Sequence, residues 1–301
     1  MKYSTAVVAA LSFLSNAHAL DLTNNAYIKG ESVLNRSPCP AINTVANHGF
    51  VNRDGLGVLS TDLAEALTLV FGVDISFSLN AISSQVEKGL PADMNDDGTF
   101  NIDLFSWYGQ FDHDASLMRS DLTPEDPQPQ FNQTLFDKLA MLSEDGETVT
   151  KEQLAEHQRN MVKASRKMSP DDFNIPVNTC GTQATFTMLF GDDDNLDTAR
   201  LDFIESFMKD NRIPEDYMTR EERGVPNLLS EDDTITNGVR AMFNSSIEMA
   251  LEADLDGGDM AMDDGDEMMV ESSSNGDSGA WSVGGTLLAA TSALAMLANN
   301  L

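Results

Sequence analysis

The chain has little that is basic and little that is sulfur-bearing. Among 301 residues there are 18 Lys and Arg against 49 Asp and Glu, a net charge of −31. Nucleic acids are held by basic surfaces, so they are excluded as partners, and anionic membrane surfaces are disfavoured on the same ground. Two cysteines, Cys39 and Cys180, rule out a disulfide framework. They leave one optional bridge in a chain large enough to fold without it. Strict apolar–polar alternation is scarce, so nothing argues for a large sheet. The apolar runs are too short to cross a bilayer.

The two ends read as addresses. Lys2, the run "AVVAALSFL" and Ala17-His18-Ala19 form a charged start, an apolar core and a small-x-small cleavage site, so residues 1–19 are expected to be a secretory signal. Residues 251–280 are acidic, rich in Gly and Met without a helical stripe, and expected to be a solvated, disordered linker. Residues 281–301 form a hydrophobic tail behind the small, polar "ESSSNGDSGA", the pattern of a GPI-anchor signal, although Thr291, Ser292, Asn299 and Asn300 interrupt it. These ends imply a secreted or cell-surface protein. Glycosylation sequons stand at Asn132 and Asn244, and a third at Asn35 is spoiled by the following Pro38.

Residues 20–250, about 230 in all, suffice for one hydrophobic core. Their patterning is helical. "STDLAEALTLVFG" offers Ser60, Thr61 and Asp62 as caps and stops at Gly72. "TVTKEQLAEHQRNMVKASRKM" carries a capping box at Thr150 and Gln153, with a polar surface broad enough to place it outside the core. "TARLDFIESFMKDNRIP" has an apolar stripe at Leu201, Ile204, Phe207 and Met208. "CGTQATFTMLFGD" fits a buried helix or a strand equally.

Three stretches carry candidate chemistry. "DMNDDGTFNIDL" begins like a calcium loop but has Leu104 where a bidentate glutamate belongs, so it reads as an Asp-Gly turn. In "FDHDASLMRSD", a helix would put Asp112 and Ser116 on one face, able to share a hard cation, with Asp114 free to orient the His113 ring. In "NRSPCPAINTVANHGF", Pro38 and Pro40 stiffen the backbone around Cys39 at the mouth of a helix. Unpaired N–H groups and the helix dipole there favour a thiolate and lower its pKa.

"RSPCPAINTVANHGFVNRDG" resembles the haem-thiolate peroxidase family, which includes chloroperoxidase and the unspecific peroxygenases. The likeness continues in order through "DGTFNIDL", "FDHDASLMRSD" and "FMKDNRIPEDY", from about Leu34 to Leu229. It implies a mostly α fold: a single helical domain enclosing a haem, with short irregular or β pieces. It implies haem b held by Cys39 as the proximal thiolate. It implies Mg2+ or Mn2+ on Asp112 and Ser116 beside a haem propionate, with the His113 carbonyl contributing. His113 and Asp114 become the catalytic pair on the peroxide side, and His48 takes a packing role. The implied activity is a secreted peroxidase or peroxygenase that uses hydrogen peroxide on small organic substrates, through a thiolate that promotes O–O cleavage.

Two departures stand out. The family's Glu is Asp112 here, one methylene shorter. Its acid–base Glu falls at Thr182, with Gln183 beside it, and neither shuttles protons at neutral pH; Glu205 is a conceivable substitute outside the motif. The loss costs a factor of about 10²–10⁴ in a general acid–base role. Two alternatives follow: a haem-binding protein of the same fold with weak or altered catalysis, or a non-haem secreted domain with a Cys39–Cys180 disulfide. Phe105, Phe111 and Phe186 are candidate pocket lining and equally ordinary core.

Overall fold

A computed structural model describes residues 20, 22–30, 35–88, 95, 98–106, 111–122, 131–171, 173–191, 196–223 and 227–253. The expected signal (1–19), most of the expected linker (251–280) and the expected tail (281–301) lie outside them.

The domain is mostly α. In chain order it runs α1 (Pro40–Asn47), α2 (Ser60–Phe71), α3 (Ile75–Lys88), a 3-10 turn (Ile102–Ser106) and α4 (Gln133–Ala140). Then come β1 (Thr148–Thr150), α5 (Lys151–Met168), α6 (Val177–Thr187), a second 3-10 turn (Met188–Phe190), β2 (Thr198–Arg200), α7 (Leu201–Asp210), α8 (Arg220–Arg223) and α9 (Thr234–Glu252). The strands pair antiparallel with Val149 opposite Ala199, and each feeds directly into a helix.

Local chemistry explains most boundaries. Pro40 opens α1, where its missing N–H would have no partner anyway. The box at Thr150 and Gln153 forms in full at the start of α5. Gly72 ends α2 at φ 64°, where a Cβ would sit 2.7 Å from that of the buried Arg220. The caps expected for α2 are not used, because the helix begins at Ser60 itself behind Leu59. The ambiguous apolar stretch is a helix, α6.

Two apolar clusters form the interior. The larger gathers α1, α2, α7 and both 3-10 turns around Phe71, Phe105, Phe190 and Phe207, with Cys39 against its edge. The smaller joins α5, α6 and α9 through Met161, Val162, Cys180, Ile247 and Ala250. α5 is therefore a core helix, contrary to the expectation from its polar surface. Its inner face holds His157, Gln158 and Ser165 as well as Leu154 and Val162, so polar residues masked the stripe. α6 and α9 approach closely because Gly181 has no side chain; a Cβ there would lie 1.9 Å from Asn244 Oδ1. Asn244 meanwhile donates from Nδ2 to Asn178 (2.9 Å), so this sequon is engaged in helix packing. Asn132 caps α4 with its side-chain oxygen.

Candidate active site

Cys39 is the N-cap residue of α1. Its loop is pinned from both sides: Ser37 N–H donates to Asn43 Oδ1 (3.0 Å), Asn43 Nδ2 donates to the Ser37 carbonyl (2.7 Å), and Cys39 N–H donates to Ser37 Oγ (3.0 Å). With Pro40 lacking an N–H, the first free amides of α1 are those of Ala41 and Ile42; they favour a charged sulfur, although the Cys39 side chain forms no cap hydrogen bond. Burial nevertheless pushes the thiol pKa up, against those donors and the Arg119 charge. This corrects the expectation of a lowered value: the helix end supplies the donors, but desolvation outweighs them while the sulfur carries a proton. A bound iron would hold the sulfur as a thiolate, and the positive end of α1 would then favour its charge. Cys39 and Cys180 are both free, so the disulfide alternative is not what this structure contains.

The "FDHDASLMRSD" stretch is not a helix. It is an irregular loop that turns at Ala115 (φ 58°). The Ala115 amide donates to Asp121 Oδ1 (2.7 Å), while Ser165 Oγ on α5 donates to Asp121 Oδ2. Asp112 and Ser116 still converge, but on a guanidinium. Arg119 Nη2 donates to Asp112 Oδ1 (2.6 Å) and to Ser116 Oγ (3.2 Å), and Asp112 is almost wholly buried.

His113 is buried against α6. Nδ1 lies 2.6 Å from the Asp114 carbonyl and Nε2 lies 2.9 Å from Gln183 Oε1. A neutral ring has one N–H, and both neighbours face it with an oxygen. Burial lowers the pKa of the imidazole and so selects the neutral ring. Its N–H then goes to the Asp114 carbonyl, and Gln183 must turn its NH2 towards Nε2. The carboxylate of Asp114 faces the other way and accepts from Asn174 N–H (2.9 Å). Asp114 thus orients the ring, as expected, but through its backbone oxygen. Cys180, one turn before Gln183, puts its sulfur 3.3 Å from both ring nitrogens, with its thiol pKa pushed up by burial.

Of the two residues at the expected glutamate position, Gln183 is the one at the histidine. Thr182 turns outward and bonds the Asn178 carbonyl (2.8 Å). Glu205 pairs with Lys209 (2.8 Å) on the outer side of α7. Phe105 and Phe111 stack edge to face (5.1 Å), and Phe186 meets Phe71 (5.8 Å). His48 is structural: Nδ1 donates to the Asn25 carbonyl (2.8 Å) and Nε2 accepts the Ile213 N–H (3.2 Å).

Arg119 and Asp121, which bond the candidate stretch together, are the residues that sequence reasoning passed over. Both lie inside a stretch already singled out, where a basic residue among four acidic or polar candidates was the available signal. Arg119 Nη1 is buried without a hydrogen-bond partner among the described residues. That orphaned donor, with a free, half-buried sulfur at the N-terminus of α1, suits an iron-bound macrocycle bearing anionic carboxylates. The expected divalent-ion site fits less well, since its two oxygens already meet at a cation.

The family described as Peroxidase, family 2 matches residues 25–222. The chain is also 25% identical over 205 residues to an aromatic peroxygenase of Coprinellus radians, covering 60% of this chain and 77% of that protein. With its in-order motifs and the Cys39 loop, the chain belongs to the haem-thiolate peroxidase family and is a peroxidase-class enzyme.

Proposed function

We propose that the chain is a secreted haem-thiolate peroxidase or peroxygenase, with haem b on Cys39, that uses hydrogen peroxide to oxidise or oxygenate small organic substrates. The Cys39 sulfur at the N-cap of α1, in a loop pinned by the Ser37–Asn43 bonds, carries this reading. When bound, the haem iron supplies the redox chemistry. The chain supplies its setting. The Ser37–Asn43 clasp and Pro40 fix the loop that carries the sulfur, and the positive end of α1 favours its negative charge. Phe105 and Phe111 exclude water from the neighbouring interior. His113 is held with one nitrogen on the Asp114 carbonyl and the other towards Gln183. Secretion rests on the sequence of residues 1–19 alone.

Absorption spectroscopy of the purified protein tests this. A ferrous–CO band at the long wavelength characteristic of thiolate ligation is expected, and Cys39→Ala should abolish it. A protein that stays colourless with haem supplied, or a band unchanged in Cys39→Ala, overturns the reading.

The Gln183 contact favours a second reading, in which catalysis is weak or altered. An amide cannot take a proton from one peroxide oxygen and return it to the other, so the proton relay lacks its usual carboxylate.

A further inference from the structure

We propose that the Arg119 guanidinium is the resident cation of this site, in place of a divalent metal, and that its Nη1 receives a carboxylate of the group bound at Cys39.

Three observations meet at this side chain. First, one nitrogen holds both expected metal ligands, Asp112 Oδ1 at 2.6 Å and Ser116 Oγ at 3.2 Å. A hard divalent ion needs about six oxygens and seldom sheds all its water. Here one carboxylate oxygen is already neutralised, and Ser116 donates its own hydroxyl to the His113 carbonyl (3.4 Å). The third expected ligand is therefore engaged by the second. Second, the other nitrogen, Nη1, is buried and has no partner among the described residues. A buried guanidinium N–H left unpaired is costly, so its natural complement is an anionic acceptor. Third, the Asp112–Arg119 pair lies within electrostatic range of the Cys39 sulfur. The pair therefore stands on the same side of the interior as the sulfur, where a group held there could present an acceptor. The planar fork suits this double duty: one arm for the protein carboxylate, one for the ligand's.

The shorter Asp112 gives the arrangement a rationale. A carboxylate retracted by one methylene coordinates a small ion at the site less readily. It accepts well from a side chain that extends to meet it.

The inference rests on the haem reading, and two measurements other than turnover separate them. Haem b and its dimethyl ester, which lacks both carboxylates, are titrated into haem-free wild type, Arg119→Gln and Arg119→Lys and followed by the Soret band. Wild type should prefer haem over the ester by about tenfold or more. Arg119→Gln should lose most of that preference. Arg119→Lys keeps the charge on Asp112 but has no second arm, so it should lose it too, without the buried unpaired carboxylate that could unfold Arg119→Gln. Metal analysis of the purified wild type should give well under one equivalent of Mg or Mn, and added Mn2+ should stay free by electron paramagnetic resonance. Stoichiometric Mg or Mn, or undiminished preference in Arg119→Lys, overturns the proposal even if haem binds through Cys39.

Discussion

A single amide decides how His113 can act. Gln183 stands where a proton-carrying group would complete a relay, 2.9 Å from the ring. Restoring a carboxylate with Gln183→Glu should raise peroxide-dependent turnover of a phenolic dye by about 10²–10⁴-fold. No gain, in a variant that retains its haem spectrum, would show that Gln183 does not limit the reaction. The sequence offers Thr182 and Gln183 side by side for that position. What settles it is helix phase: Thr182 faces solvent, whereas Cys180 and Gln183, three apart on α6, both face the ring. The Cys39 site was legible because proline, cysteine and proline state the backbone and the chemistry together. The direction of the thiol pKa was not, because it depends on desolvation by residues far away in sequence.

Among the elements, the α6–α9 contact is the most demanding. Gly181 allows α9 to lie close enough for Asn244 and Asn178 to bond. Gly181→Ala should destabilise the protein by about 1–3 kcal/mol through overpacking, read as a lower thermal midpoint. An unchanged midpoint would mean that Asn244 gives way freely. Elements whose ends are set by local bonds were readable: the capping box of α5 and the glycine stop of α2. The 111–121 loop was not. Its turns are held by distant partners, Asp121 to Ser165 of α5 and Asp114 to Asn174 ahead of α6. Periodicity cannot show such bonds.

Taken whole, the molecule should be sensitive to mild acid. His48 and His157 are both buried, and burial lowers the pKa of each ring. Their ordinary imidazole value is about 6.5. Above it, both rings are neutral folded and unfolded, and stability is at its full value. As pH falls through about 6.5, the unfolded chain takes up protons that the native rings refuse, so stability drops by up to about 2.7 kcal/mol per pH unit for two rings. Protonated His48 could no longer accept the Ile213 N–H. Thermal midpoints between about pH 8 and 5.5 should therefore fall on the acid side, and a flat profile would sink the idea. Asp121 runs the opposite way, since burial raises its pKa, so it offsets part of the loss only where carboxylates begin to protonate.

The small ladder of β1 and β2 has a consequence for the order of assembly. Val149 and Ala199 meet across roughly fifty intervening positions, which hold α5 and α6. Closing so long a circuit has an entropic cost that three-residue strands cannot offset alone. The ladder therefore locks late, after the helices within the circuit have docked. Amide hydrogens at its centre should exchange through openings that leave the helices docked, ahead of those inside α5 and α6.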